Sequence, residues 1–68
     1  MYKVWLINFG WYLSAEYPTL REAVVYGISN GFEFCIHHDD KVLVSWSPIG
    51  GVRILSPSIS WQDVGVGF

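Results

Sequence analysis

The chain has 68 residues, which is enough for one domain and close to the lower limit for a fold without disulfides or metals. Its net charge of −2, from four basic and six acidic residues, argues against a nucleic-acid binder, which needs a cluster of lysines and arginines. A single cysteine excludes an internal disulfide and favours the reducing cytoplasm, and no apolar run approaches the ~20 residues of a membrane span.

Residues 2–9 predict the first β-strand. Apolar side chains fall on both of its faces, Val4 and Leu6 on one and Trp5, Ile7 and Phe9 on the other. This pattern is typical of a central strand, or of a strand whose outer face meets another chain. A turn at residues 8–10 then leads to a short second strand predicted at residues 11–15.

Residues 19–30 predict a helix with signals at both ends. Thr19 and Glu22 have the spacing of a capping box, and Gly31 stands where a helix ends in the left-handed conformation. The apolar residues of this segment repeat with helical spacing on one stripe: Leu20, Ala23, Val24, Gly27 and Ile28. Gly27 costs roughly 1 kcal/mol of helix propensity relative to alanine. We therefore expect it to allow a close approach between the helix and a sheet.

The next segment predicts a β-hairpin with strands at residues 32–37 and 42–46. Both strands carry apolar side chains at even positions, namely Phe32, Phe34, Ile36, Val42, Val44 and Trp46. A two-residue loop at Asp39 and Asp40 would send the second row to the opposite face, whereas a three-residue loop brings the rows together. We therefore predict a three-residue loop with one of these aspartates in the left-handed region. The wetter face would then carry Glu33, Cys35, His37, Leu43 and Ser45.

Residues 47–51, with the sequence SPIGG, predict a break before a short edge strand at residues 52–55. The sequence thus predicts an α+β fold, an antiparallel sheet of four to five strands with one helix on one face, in the order ββαββ.

We assign residues 1–55 to a single α+β domain and residues 56–68 to an apolar C-terminal tail. Asp63 is the one charge in this tail, whose apolar residues are Ile59, Trp61, Val64, Val66 and Phe68. Because disordered tails are usually polar, we expect this one to pack on the domain or on a partner subunit.

The densest group of potential metal ligands is His37, His38, Asp39 and Asp40. Adjacent strand residues point to opposite faces, so the two histidines do not easily share one ion, and a polar hairpin tip explains the group better. Cys35 and His37 share a strand face, but about 7 Å of strand separates them, which makes a direct thiol–imidazole contact awkward. We therefore predict no catalytic, metal or cofactor site. A metal-dependent hydrolase at residues 37–40 is a remote alternative.

The pattern YKVWLINFG, a TLREA helix, GFEF, VLVSW and SPIGG extends over residues 2–54 and resembles small uncharacterised proteins encoded by bacteriophages. The resemblance implies the cytoplasm of a host cell as the setting. It also implies stoichiometric binding to host machinery or to a defence protein. The motifs describe a fold, and they carry no functional residue over to this chain.

These observations favour a non-enzymatic accessory protein that inhibits or redirects a host protein by binding it. A chain this small has too little interior for four tryptophans, four tyrosines and four phenylalanines, so we expect exposed apolar surface. That surface would meet a partner or close a homo-oligomer, with a dimer favoured. The predicted contact residues are Trp5, Trp11, Tyr12, Ile49, Gly50, Gly51, Arg53 and Trp61. The alternative is an oligomeric protein that sequesters a small nucleotide signal with Arg53, the amides of Gly50 and Gly51, and a stacking aromatic ring.

Overall fold

The fold is a five-stranded antiparallel sheet with one main helix packed on one face, which confirms the predicted α+β class. The computed structural model describes residues 1–65. Its elements are β1 (Tyr2–Ile7), β2 (Trp11–Tyr17), α1 (Leu20–Asn30), β3 (Phe34–His38), β4 (Lys41–Ser47), β5 (Gly51–Ile54) and the short helix α2 (Trp61–Val64). The strands lie in the order β2-β1-β3-β4-β5, so β3 is central and β2 and β5 are the two edges.

The main helix begins and ends at the predicted signals. The backbone N–H of Glu22 donates to Oγ1 of Thr19 over 3.2 Å, which satisfies one of the four amides that a helix N-terminus leaves unpaired. At the other end, Gly31 takes a φ of 77° and its N–H donates to the carbonyl of Ile28. Both ends of α1 are therefore fixed by local interactions that the sequence encodes.

The β3–β4 hairpin has the predicted pairing, but the predicted three-residue loop is wrong. Phe34 lies opposite Trp46 and Ile36 opposite Val44, so the two apolar rows share one face. The turn, however, contains two residues, Asp39 and Asp40, with φ of 51° and 62°. Both aspartates are therefore left-handed, as a type I′ turn requires.

An irregularity in β4 reconciles the short turn with this pairing. His37 lies opposite Val42 while Ile36 lies opposite Val44, so β4 has one extra residue, Leu43, which forms a β-bulge. Leu43 is 5% exposed and belongs to the core, whereas Val42 is 39% exposed. The predictions that placed Val42 in the core and Leu43 on the wetter face are therefore wrong, because the bulge exchanges their environments.

Two phenylalanines lie outside the strands in which they were predicted. Phe9 falls in the β1–β2 turn with a φ of 64° and is fully exposed. Phe32 precedes β3 and is 45% exposed, because the backbone leaving Gly31 becomes a strand only at Phe34. The predicted strand at residues 2–9 thus ends at Ile7, where the chain begins to turn.

The core lies between the sheet and α1. Its fully buried side chains include Val4 and Leu6 of β1, Val24 of α1 and Phe34 and Ile36 of β3. The side chains on the α1 side of the sheet are thus the ones that stabilise the fold.

The segment after β5 returns to this core. Val64 of α2 is fully buried among the core residues, and Ile59 packs against them. The helix α2 is held at its start by the N–H of Ser60, which donates to Oδ2 of Asp63 over 2.8 Å. The predicted apolar residues Val66 and Phe68 lie outside the described residues.

Candidate partner-binding surface

The sheet has a covered face and an open face. The covered face packs against α1, and the alternation of side chains sends every second residue to the opposite side. We call this opposite side the open face. Its residues are Lys3, Trp5, Ile7, Trp11, Leu13, Glu16, Cys35, His37, Val42, Ser45, Ser47 and Arg53.

The half of the open face formed by β1 and β2 is apolar. Trp5 lies opposite Leu13, and Ile7 lies opposite Trp11, so four large side chains form one strip across the two strands. Trp11 is 50% exposed and Leu13 is 42% exposed, while Trp5 and Ile7 are half-buried. The strip is flanked at one end by Lys3 and Glu16, which face each other across the strands and have opposite charges.

A shallow groove of about 320 Å³ runs beside this strip and is lined by Trp5, Trp11, Cys35 and His37. The rings of Trp5 and His37 approach each other, with centroids 5.6 Å apart. Within the described part of the chain, Nε1 of Trp5 is the buried side-chain nitrogen that has no hydrogen-bond partner. A buried donor without a partner is energetically unfavourable, so a hydrogen bond from this N–H to an acceptor would lower the free energy of the chain.

Cys35 and His37 meet on the open face, contrary to the prediction that their spacing makes contact awkward. Sγ of Cys35 lies 3.3 Å from Nε2 of His37. Partial burial raises the pKa of the Cys35 thiol, and the carboxylate of Glu33 raises it further. The thiol is therefore protonated at neutral pH, and a protonated thiol is a poor nucleophile.

The hairpin tip separates its two histidines, as the alternation along a strand predicts. His37 lies on the open face, while His38 stacks on Tyr2 with ring centroids 4.2 Å apart. Nδ1 of His38 donates to the carbonyl oxygen of Met1 over 3.0 Å. Among residues 1–65, no group of three or more histidine, cysteine, aspartate or glutamate side chains is placed to hold a metal ion.

The β4–β5 turn offers less for an anion than its sequence indicates. The N–H of Gly50 donates to Oγ of Ser47 over 2.9 Å, so this amide is already used within the turn. Gly51 begins β5 with a φ of 71° and pairs with Ser47. Arg53 lines a polar groove of about 260 Å³, but Glu33 lines it as well and would repel a phosphate.

The predicted contact residues lie at four places. Trp5 and Trp11 come together on the open face, whereas Ile49, Gly50, Gly51 and Arg53 belong to the β4–β5 turn and the strand that follows it. Ile49 is fully exposed at the tip of this turn. Tyr12 projects from the covered side of β2, and Trp61 of α2 is 58% exposed.

The predicted contact residues omit Leu13 and Ile7, although the sequence already placed Ile7 on the same strand face as Trp5. Ile7 follows Trp5 by two residues, and Leu13 follows Trp11 by two, so strand alternation was the available signal. What the sequence did not supply was the pairing of Trp5 with Leu13, which depends on the register between β1 and β2. That register makes one strip from residues of two strands.

Comparison of the chain with protein-family models, with curated proteins and with solved structures found no match in any of the three. Neither helix between residues 1 and 65 has the length and apolar character that are needed to cross a bilayer.

Proposed function

We propose that this chain is a non-enzymatic binding protein that recognises a partner protein through its open face. The observation that carries the proposal is the apolar strip of Trp5, Ile7, Trp11 and Leu13, which neither helix covers. Isolated apolar residues on a surface are ordinary, but a contiguous apolar patch beside a groove is typical of an interaction site.

Energetic considerations favour Trp11 as the main anchor. Covering its exposed half would remove about 100 Å² of largely apolar surface from water, worth about 2–3 kcal/mol. Tryptophan is also among the residues that most often dominate binding energy at protein interfaces. A partner seated on this strip would therefore gain much of its affinity from one side chain.

The indole N–H of Trp5 is buried without a partner, which is unfavourable in the free chain. A partner that shifted the Trp5 ring and brought a carbonyl to this N–H would relieve that cost. The groove beside the ring is shallow and apolar, and Cys35 and His37 also line it. The site would thus accept an apolar side chain next to a backbone carbonyl.

The resemblance to small bacteriophage proteins supplies the biological setting of the proposal. In that setting the partner is a host protein in the cytoplasm, for example a defence protein, and binding inhibits or redirects it stoichiometrically. The neutral thiol of Cys35 agrees with a binding role better than with nucleophilic catalysis.

Photo-crosslinking in host cells tests the proposal. A photoreactive phenylalanine analogue at Leu13 should capture a discrete host protein, while the same analogue at Val25 should not. Val25 is a matched control because it is 51% exposed on α1 and so lies away from the open face. The captured protein should then bind the purified chain directly and at a 1:1 ratio of subunits.

A pair of charge substitutions provides the complementary test. Leu13→Asp should abolish direct binding of the captured protein by the purified chain without lowering the melting temperature by more than a few degrees, since this side chain lies outside the core. Val25→Asp should leave this binding intact. Equal affinity of Leu13→Asp and the unmodified chain for the captured protein would refute binding through the open face.

A further inference from the structure

The edge strand β2 is exposed on both of its sides. Trp11 and Leu13 project to the open face and are 50% and 42% exposed, while Tyr12 projects to the covered side and is 42% exposed. A partner that packs onto the open face would cover the first two side chains and leave Tyr12 in water. A strand added in the plane of the sheet would flank all three and also pair the backbone groups of β2 that point away from β1.

The opposite edge of the sheet is protected in the usual way. β5 has four residues and carries the exposed Arg53 in its middle, and short length and charge both discourage pairing with another strand. β2 has seven residues, and its one charge, Glu16, lies near its end. The two edges of one sheet therefore differ, and the longer, more apolar edge is the one left available.

We infer that two copies of this chain pair through their β2 strands, antiparallel, about a two-fold axis that passes beside Tyr12. The sheet would then continue through the axis and contain ten strands. Both main helices would lie on the same side of it, because a two-fold axis perpendicular to the sheet preserves its faces.

The β-bulge of β2 sets the register of this pairing. The pairing of β1 with β2 shifts between Leu13 and Ala15, so β2 has two regular parts, residues 11–13 and 15–17, and the exposed apolar side chains belong to the first. In an antiparallel pair, residues that lie opposite each other share a face. With Tyr12 on the axis, Trp11 lies opposite the partner's Leu13 on the open face, and Tyr12 lies opposite the partner's Tyr12 on the covered side.

Charge is compatible with this register. Glu16 lies beyond the bulge, outside the paired residues, so the carboxylates of the two copies are not brought together. The residues that do meet are aromatic or aliphatic, and cross-strand pairs of this kind are favourable. The edge is therefore complementary to a second copy of itself.

The expected contact is modest in area. Pairing of residues 11–13 spans about 10 Å of strand. With a molecular thickness of 18 Å, the footprint is about 180 Å² per copy, well below the ~800 Å² per partner of a standard interface. We therefore expect a weak, reversible dimer with a dissociation constant in the high micromolar range. The dimer would join the two apolar strips, so that the partner's Trp11 and Leu13 extend the surface proposed to bind a target.

Sedimentation or light scattering across a concentration series tests the inference. The unmodified chain should change from monomer to dimer as its concentration rises through the high micromolar range. Tyr12→Lys and Tyr12→Glu should each be monomeric, because each places two like charges beside the axis. An equimolar mixture of these two variants should form a 1:1 heterodimer, since the lysine of one copy then faces the glutamate of the other.

Val25→Lys on α1 is the control, and it should dimerise like the unmodified chain. Circular dichroism of every variant checks that the monomers are folded. Disulfide formation is a second test, and it does not depend on charge. Tyr12→Cys combined with Cys35→Ser should form an intermolecular disulfide under mild oxidation. A monomeric unmodified chain at millimolar concentration would overturn the inference, as would a mixture of charge variants that stays monomeric.

Discussion

Gly27 of α1 lies directly against the ring of Phe34 in β3. A β-carbon on residue 27 would stand 2.6 Å from the nearest ring carbons, closer than real contacts allow. Phe34 is fully buried and stacks on Trp46 with ring centroids 5.6 Å apart, so its ring has little room to move. The predicted close approach of helix and sheet is therefore confirmed, and the glycine is what permits it.

We expect Gly27→Ala to destabilise the fold despite its better helix propensity. Overpacking in a filled core costs typically 1–3 kcal/mol, and the gain in propensity offsets about 1 kcal/mol of this. The free energy of unfolding, measured by denaturant titration, should fall by up to about 2 kcal/mol. In a Phe34→Leu background the same substitution should cost less, and equal costs in both backgrounds would contradict the ring contact as the cause.

Thr19→Ala should lower the free energy of unfolding by about 1 kcal/mol, since it removes the acceptor for the N–H of Glu22. Thr19 is exposed, so loss of packing contributes little. Thr19→Ser keeps the hydroxyl and is the matched control. If both variants unfold at the same denaturant concentration, the cap is not what stabilises this end of α1.

Asp40→Gly should raise stability. Asp40 has a φ of 62°, a conformation that costs side-chain-bearing residues energy and that glycine adopts freely. A gain of up to about 1 kcal/mol corresponds to a rise in melting temperature of up to about 4–8 °C for a domain of this size. Lys41→Gly is the control, because it adds a glycine to β4 and should lower the melting temperature.

The thiol of Cys35 should react slowly with iodoacetamide at neutral pH in the folded chain. Burial and the charge of Glu33 raise its pKa, so a smaller fraction is present as thiolate than in the unfolded chain. The rate measured by mass spectrometry should rise when the chain is denatured. Glu33→Gln should accelerate the reaction of the folded chain, and an unchanged rate would show that burial acts alone.

The same pKa shift has a consequence for alkaline stability. The folded chain holds the thiol proton of Cys35 more tightly than the unfolded chain, which adds to the free energy of unfolding. This contribution to stability is fully present at neutral pH. It is lost as the pH rises through the ordinary thiol pKa toward the raised value of the folded state. Stability measured against pH should therefore fall more steeply for the unmodified chain than for Cys35→Ser in this alkaline range.

Features encoded within a few residues were predictable from the sequence. The cap at Thr19, the glycine at residue 31 and the buried pair Val4 and Leu6 depend on local spacing, and the structure has all of them. The loop length of the β3–β4 hairpin was not predictable. Placing the apolar rows of β3 and β4 on one face required one extra residue in that hairpin. A longer loop and a bulge at Leu43 meet this requirement equally well.

The candidate surface was predictable only in part. The excess of aromatic residues indicated exposed apolar surface, and Trp11 and Tyr12 are indeed half-exposed. The contact between Cys35 and His37 was missed because backbone rise separates Cα atoms and does not fix the distance between side-chain atoms. Side chains in a strand lean along its direction, and here Sγ of Cys35 and Nε2 of His37 come within 3.3 Å.

Because one face of the sheet is covered and the other is open, successive residues of β1 belong to two different surfaces. Substitutions at Val4 and Leu6 would change how much folded protein a cell contains, since both side chains are buried in the core. Substitutions at Trp5 and Ile7 would change the surface that we propose binds a partner. Under that proposal, a lineage carrying this chain can follow a changing target by varying every second codon of one strand, while the codons between them preserve the fold.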